Sequence, residues 1–238
     1  MPSLFSQLVD LIFPPRCVIC KNINQKTICD DCLRKVVYLK SPICRICGKP
    51  RDKYFVGDMC EDCKRGNVPF IVARSVVLYD GVMKDAIHKF KFCGKKGLSG
   101  ALGRILVSYL ATGDIPIGEI DLIIPVPLSS KRERQRGYNQ SRLLVEEISR
   151  VYSKKIDDTS LVKAKDVAPQ FELSRKERLT NVKGAFSSAP LTGMNVLLID
   201  DIYTTGATVR EASKALKASG AKNVYVLTLA RAVDPEAK

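Results

Sequence analysis

Long apolar runs, secretory features and histidine are what this chain lacks. No apolar run approaches the roughly eighteen residues that a membrane span needs. Met1–Phe13 has neither a basic start nor a small-residue cleavage site, which excludes a secretory signal peptide. Leu4, Leu8, Val9 and Ile12 share one face there, so a short docking helix is expected, stopped by Pro14 and Pro15. The expectation is a cytoplasmic chain without membrane insertion, peripheral at the inner membrane at most. The only histidine is His88, placed among Met83, Ile87 and Phe90. It reads as a packing residue, so no strong general base is evident. Low-complexity tracts are missing too. The 238 residues suffice for two domains and not many more.

Cysteine, by contrast, is abundant and unevenly placed. Eight of the nine fall in four C-x-x-C pairs within the first 63 residues: Cys17/Cys20, Cys29/Cys32, Cys44/Cys47 and Cys60/Cys63. Disulfides are disfavoured in a chain without a secretory signal. A C-x-x-C turn brings two thiolates to one metal, and a second turn completes a tetrahedron. Eight thiolates thus make two structural Zn²⁺ sites with no open position for catalysis. The spacing favours sequential sets, the first four cysteines and then the last four. An interleaved cross-brace stays open, as does a redox role requiring an exposed, acidic thiol. Cys93 stands alone and reads as a free thiol. The polar junction at Lys64–Phe70 sets the expected boundary, with a zinc domain over 1–70 and a second domain over 71–238.

The second domain alternates strand and helix patterns, which predicts an α/β fold around a parallel sheet. Residues 71–79 read as a strand, 82–92 and 97–110 as helices, and 121–127 as a buried strand. A basic loop follows over Ser129–Gly137, and Asn139 is placed to cap a helix running to about Tyr152. Residues 161–164 read as a short strand. Ser174 and Glu177 form a capping box. Val196–Ile199 is apolar without alternation, as in a strand buried on both faces. Asp200 and Asp201 follow at its carboxyl end. Thr204, Thr205, Gly206, Ala207 and Thr208 then lead into a helix that carries Val209, Ala212 and Leu216. Ligands of open α/β sheets bind outside the carboxyl ends of strands. A small-residue loop before a helix offers amides to a phosphate, and neighbouring acids accept from a sugar diol. This arrangement points to a phosphorylated ribose. An acid pair that merely caps a turn is the plainer alternative.

Formal net charge is +14. Eight thiolates closing on two divalent ions would lower it to about +10. Residues 71–238 hold 27 of the 39 basic residues against 18 of the 25 acidic ones, so the excess sits in the second domain. Such a surface attracts polyanions or phosphate substrates. Lys89, Lys91, Lys95 and Lys96 form one basic cluster; Lys131, Arg132, Arg134 and Arg136 form another. Solvated helix faces would explain them equally well from charge alone.

Val196–Thr208 resembles the phosphoribosyl pyrophosphate (PRPP) motif of type I phosphoribosyltransferases. The four C-x-x-C pairs precede YDGVMKDAIHKFKFCGK at Tyr79–Lys95 and PVPLSSKRERQRGYNQS at Pro125–Ser141. Gln170, Arg178, Asn181 and Phe186 follow in QFELSRKERLTNVKGAF. Together these segments resemble the ComF family, the competence-associated phosphoribosyltransferase-like proteins of bacteria, over nearly the whole chain. The resemblance implies a type I phosphoribosyltransferase-like parallel sheet flanked by helices, with a small N-terminal double zinc ribbon. Asp200 and Asp201 would then do the catalytic and ribose-binding work, with Thr204–Thr208 on the phosphate. Val126, Pro127, Leu128, Ser129, Ser130, Lys131 and Arg132 would form the pyrophosphate loop. Lys91 would approach from the other side, and Mg²⁺ would accompany PRPP. Single-stranded DNA, held by Lys89, Lys91, Lys95, Lys96, Arg134 and Arg136, and a ComFA-type helicase are the partners it implies. The chain departs from the catalytic pattern in one respect. Only seven residues follow Arg231, and no other insert is evident for the hood that recognises a base.

Overall fold

An apolar strand without alternation needs cover on both faces, and Val196–Ile199 receives it. The structure, a computed structural model, describes residues 13–51, 57–164 and 182–233. In chain order it contains α1 (Asp30–Arg34), α2 (Glu61–Lys64), β1 (Val72–Leu78), α3 (Gly81–Phe92) and α4 (Leu98–Leu110). Then come β2 (Leu122–Pro125), α5 (Ser130–Arg136), α6 (Gln140–Tyr152), β3 (Lys155–Ile156) and β4 (Leu161–Lys163). The chain continues through β5 (Phe186–Ser188), β6 (Asn195–Tyr203), α7 (Ala207–Ala218) and β7 (Asn223–Arg231). Five strands form one sheet in the order β1-β7-β6-β2-β3, every pair parallel. β4 and β5 pair antiparallel beside it.

Alternation along β6 divides the core. Leu197 and Ile199 share one buried cluster with Ile123 and Leu227, closed by Ile87, Phe90, Leu102 and Leu144 from α3, α4 and α6. Val196 and Leu198 share the other with Ile124 and Val226, closed by Val209 and Leu216 of α7 and by Leu161 and Phe186 of the small hairpin. Local signals set the helix starts. The Asp80 carboxylate accepts from Gly81 N at 2.9 Å to open α3. The Asn139 side chain accepts from the amides of Ser141 and Arg142 to open α6.

The cysteine-rich segment is duplicated in three dimensions as well as in sequence. Each half begins with a small antiparallel bridge, Arg16 to Ile23 or Ile43 to Pro50, around its first C-x-x-C turn. In each, the second pair opens a short helix, α1 or α2. Cys29 N points to Cys17 Sγ at 3.4 Å, and Cys60 N to Cys44 Sγ at 3.4 Å. The link between the halves lies antiparallel on β1. Leu39 N donates to Val76 O at 2.9 Å and Leu78 N to Val37 O at 2.8 Å. The module therefore covers an edge strand whose amides would otherwise invite foreign strands. Its first cysteine set packs into one core cluster and its second into the other. Buried Arg74 of β1 ties the two parts together. It donates to Asp114 at 2.5 Å and to the Arg45 carbonyl at 3.1 Å.

Two sequence expectations need correction. Ser129–Gly137 is not an open loop. Residues 130–136 form α5, which Gly137 ends with φ +76, and basic side chains project from its turns. Nor does the central strand stop before the acids. β6 runs on to Tyr203, because pairing with β7 continues through Ile202–Ala230 and Tyr203–Arg231. The N-terminal docking helix, apart from Phe13, and the capping box at Ser174 lie outside the described residues. Among the described residues no helix is long and apolar enough to cross a membrane.

Arg74→Met should lower stability by about 1–3 kcal/mol, because the carbonyls of Arg45, Ile46 and Ala73 and the Asp114 carboxylate lose their buried donor. Urea titration of wild type and variant measures this, and an unchanged midpoint would refute the bracing role.

Candidate functional site

The strand connections diverge at one place in the sheet. From β2 the chain goes outward to β3; from β6 it goes the opposite way, to β7. Adjacent strands whose connections part in this manner leave a crevice beyond their carboxyl ends. The segments that enter it are Val126–Ser129 after β2 and Thr204–Gly206 after β6. Both of the loops expected to hold a ribose phosphate are therefore brought together.

Asp200 and Asp201 stand at the base of this crevice, both buried. Asp200 Oδ1 accepts from Asp201 N at 2.8 Å and from Ser141 Oγ at 3.2 Å. Burial, and then the charge of Asp201, push the Asp200 carboxyl up to about 7. Lys91, from the last turn of α3, places Nζ 2.9 Å from each oxygen of Asp201. The hydrogen bond goes to Oδ1, and Oδ2 accepts none among the described residues. Across the crevice, buried Ser129 Oγ likewise has no partner among the described residues. Buried polar atoms are nearly always paired in folded proteins. Both oxygens lie in segments flanking the one crevice, Asp201 Oδ2 meeting only the Lys91 ammonium and Ser129 Oγ nothing polar among the described residues.

The loop after β6 is shaped by Gly206, whose φ is +80. A Cβ there would overlap the Tyr203 hydroxyl, so no other residue fits this turn. Thr205 Oγ1 accepts from Ala207 N at 3.3 Å, and α7 starts at once. Thr204, Thr205 and Thr208 remain partly accessible around the turn. Tyr203 is itself held by Arg231, whose guanidinium carbon lies 4.1 Å from the ring centroid. Arg231 also donates to the Cys47 carbonyl at 2.8 Å and approaches Cys47 Sγ at 3.7 Å. A cysteine of the second set thus reaches the turn at Gly206 through two side chains.

The RGYNQS segment acquires a structural account. Arg136 donates to Gln140, and Gly137 turns the chain out of α5. The Tyr138 hydroxyl donates to Phe90 O, locking the end of α3. Asn139 caps α6 and donates to Val126 O at 3.1 Å, which fixes the loop after β2. Ser141 reaches Asp200. Sequence reasoning named the segment without its roles, and it missed Tyr203 and Arg231, whose partners are distant in the chain. Of the expected nucleic-acid contacts, Lys91 is turned inward to Asp201. Lys89, Lys95 and Arg134 pair with no carboxylate among the described residues. Lys96 lies over the Tyr138 ring at 5.0 Å, and Arg136 over the Phe92 ring at 5.3 Å. Pro127, Leu128 and Arg132 are partly accessible, and Ser130 and Lys131 are exposed.

The cysteines form two sets, Cys17, Cys20, Cys29, Cys32 and Cys44, Cys47, Cys60, Cys63, each with its sulfurs within 4.8 Å of one another. Neighbouring sulfurs stand 3.6–3.8 Å apart. A tetrahedron with Zn–S bonds of about 2.3 Å has edges of about 3.8 Å. The sets are the sequential ones, and their geometry fits zinc.

Fold and site together define a phosphoribosyltransferase-type α/β protein that carries a double zinc ribbon. Residues 8–64 match the double zinc ribbon domain model and residues 140–237 the phosphoribosyl transferase domain model. β1 and β2 precede the second match but belong to the same sheet. The chain is 30% identical over 227 residues to the DNA utilization protein YhgH of Salmonella typhi, covering 93% of this chain and 99% of that one. It is 31% identical over 228 residues to Competence protein F of Haemophilus influenzae, covering 91% and 97%. Competence protein ComFC of Bacillus subtilis is 29% identical over 211 residues, covering 86% and 84%. The chain belongs to this ComF family.

The Asp200 carboxyl binds its proton more tightly in the folded protein than the ordinary unfolded value of about 3.9 allows. Its contribution to stability is therefore fully present below about pH 4 and is lost as pH rises toward 7. Asp200→Asn should flatten this fall and stabilise the fold at pH 8. Melting temperatures of both proteins between pH 5 and 8 provide the check, and parallel curves would contradict the buried-acid account.

Proposed function

We propose that this chain binds PRPP in the crevice between β2 and β6 and handles single-stranded DNA during natural competence. The observation that carries the reading is a pair of buried oxygens in the segments flanking that crevice: Ser129 Oγ, with no hydrogen-bond partner among the described residues, and Asp201 Oδ2, which accepts no hydrogen bond among them and meets only the Lys91 ammonium. Asp200 and Asp201 would accept from the ribose diol. The amides and hydroxyls of Thr204–Thr208 would take the 5′-phosphate. Val126–Arg132 would take the pyrophosphate, with Lys91 released from Asp201 to join it. Once Lys91 has left it, Oδ2 of Asp201 would suit a water of hydrated Mg²⁺, which would supply charge neutralisation for the pyrophosphate. In this reading residues 1–70 are the zinc module and 71–238 the ligand-binding unit. The names of the relatives, DNA utilization and competence proteins, supply the biological setting. The helicase that the family resemblance implies would dock on the zinc module, where Val37 and Tyr38 are exposed.

A second reading, transfer of ribose 5-phosphate to a nucleobase-like nitrogen, draws support from Asp200. A carboxyl that titrates near 7 can take a proton at neutral pH. Base-dependent release of pyrophosphate from PRPP across a panel of nucleobases would establish turnover. Its absence beside intact PRPP binding would leave the binding function.

Calorimetric titration with PRPP and Mg²⁺ should give saturable binding in the wild type and at least a hundredfold weaker binding in Asp200→Asn/Asp201→Asn. Equal affinity would overturn the assignment. Affinity for single-stranded DNA should fall steeply with salt, with a shallower slope once Lys89, Lys95 and Arg134 are replaced by alanine. Metal analysis of the purified chain should find two zinc ions, and Cys47→Ser should lose one of them.

A further inference from the structure

We propose that Phe92 is a stacking platform for an unpaired nucleobase at the mouth of the ribose-phosphate crevice. The inference rests on the reading of that crevice given above and adds a base-recognising surface to it. Phe92 ends α3 and is not part of its core stripe. Met83, Ala86, Ile87 and Phe90 are buried, whereas Phe92 leaves 57% of its surface in solvent. Packing in the core of the sheet does not account for an aromatic ring held there.

Its neighbours give it direction. Lys91, whose Cα is about 3.8 Å away along the backbone, reaches down to Asp201. The same helix end therefore sends one side chain to the acids and the next to the rim. The His88 ring stands 5.1 Å from Phe92, tilted by 46°. The Arg136 guanidinium lies over the ring at 5.3 Å and is steadied by its bond to Gln140. Arg136 also feels the charges of Asp201 and Asp200, which oppose the effect of its burial. It thus links the rim to the floor of the crevice. Close in sequence to Phe92 and Arg136, Lys89, Lys95 and Arg134 have no carboxylate partner among the described residues. An exposed aromatic amid free cations matches the elements that hold single strands: a π-face for the base and positive charge for the phosphates. A solvated charge face would need the cations but not the ring.

The wild type has no tryptophan, so Phe92→Trp creates a single fluorescent reporter at the platform. Three probes separate the sources of the base: oligo(dT), an abasic oligomer with the same number of phosphates, and thymidine monophosphate. Quenching by oligo(dT) but not by the abasic oligomer is the expected result. Quenching by the mononucleotide alone would assign the platform to a free nucleotide and still support base stacking. Phe92→Ala should weaken oligo(dT) binding by about 5- to 150-fold and leave PRPP and abasic-oligomer affinity unchanged. Equal binding of oligo(dT) and abasic oligomer, untouched by Phe92→Ala, would overturn the proposal. Failure of the wild type to bind PRPP would instead sink the crevice reading, so the two failures are distinguishable.

Discussion

Two carboxylates side by side in a strand buried on both faces are the constraint on which this structure turns. Burial, and then the neighbouring charge, make the ionised form of Asp200 costly without support. The fold supplies it from three separate elements. α3 delivers the Lys91 ammonium to Asp201. α6 delivers the Ser141 hydroxyl to Asp200, and the Asp201 amide turns onto the Asp200 carboxylate. What remains unbalanced is absorbed by the raised proton affinity of Asp200. A purely structural turn would carry no such burden, since one capping aspartate at the surface costs far less. The arrangement is intelligible as a site held ready for a ligand whose hydroxyls and charge complete it.

Readiness of this kind demands a rigid frame, and the cysteine module contributes to it. A segment of such length cannot build a deep apolar core of its own, and metal ligation substitutes for one. The module does more than hold itself together. It pairs with β1, places one cysteine set in each core cluster, and through Cys47, Arg231 and Tyr203 reaches the turn at Gly206. Since the Tyr203 hydroxyl occupies the space a side chain at 206 would need, the shape of this turn depends on that stack. The module is accordingly part of the frame of the crevice rather than an appendage.

Much of this was legible in the sequence because it depends on local order. The C-x-x-C spacing, the uninterrupted Val196–Ile199 run and the Asn139 cap are each read from a few neighbouring residues, and each stands where expected. The errors have a common cause in pairing and capping that local patterns underdetermine. β6 continues past its acids because β7 offers a partner at every step, and carboxylates are tolerated in a strand once ion-paired. Ser129–Gly137 looks like a loop by charge, yet Gly137 can end a helix as readily as punctuate a loop. The least legible contacts are the longest-range. Arg231 and Cys47 lie 184 positions apart, and nothing in either neighbourhood announces the other. Lys91 belonged to a basic run whose members look alike in sequence; only the end of α3, locked by the bond from Tyr138 to Phe90, decides which of them turns inward.

That choice also organises the charge of the molecule. With Lys91 spent on Asp201, the floor of the crevice is nearly neutralised by its own residues. Lys89, Lys95 and Arg134 have no carboxylate partner among the described residues, so their field is available to an approaching polyanion. Were the acids unpaired, they would draw those cations inward, and the rim and floor would merely neutralise each other. Exchange of Lys91 from acid to pyrophosphate would then bring a substrate's negative charge into a site that had been balanced without it. The diol would meanwhile take over the acceptors that the lysine leaves. In the proposed reading the ion pair between Lys91 and Asp201 would serve twice: it balances the buried acid, and it would hold a cation in reserve for the pyrophosphate.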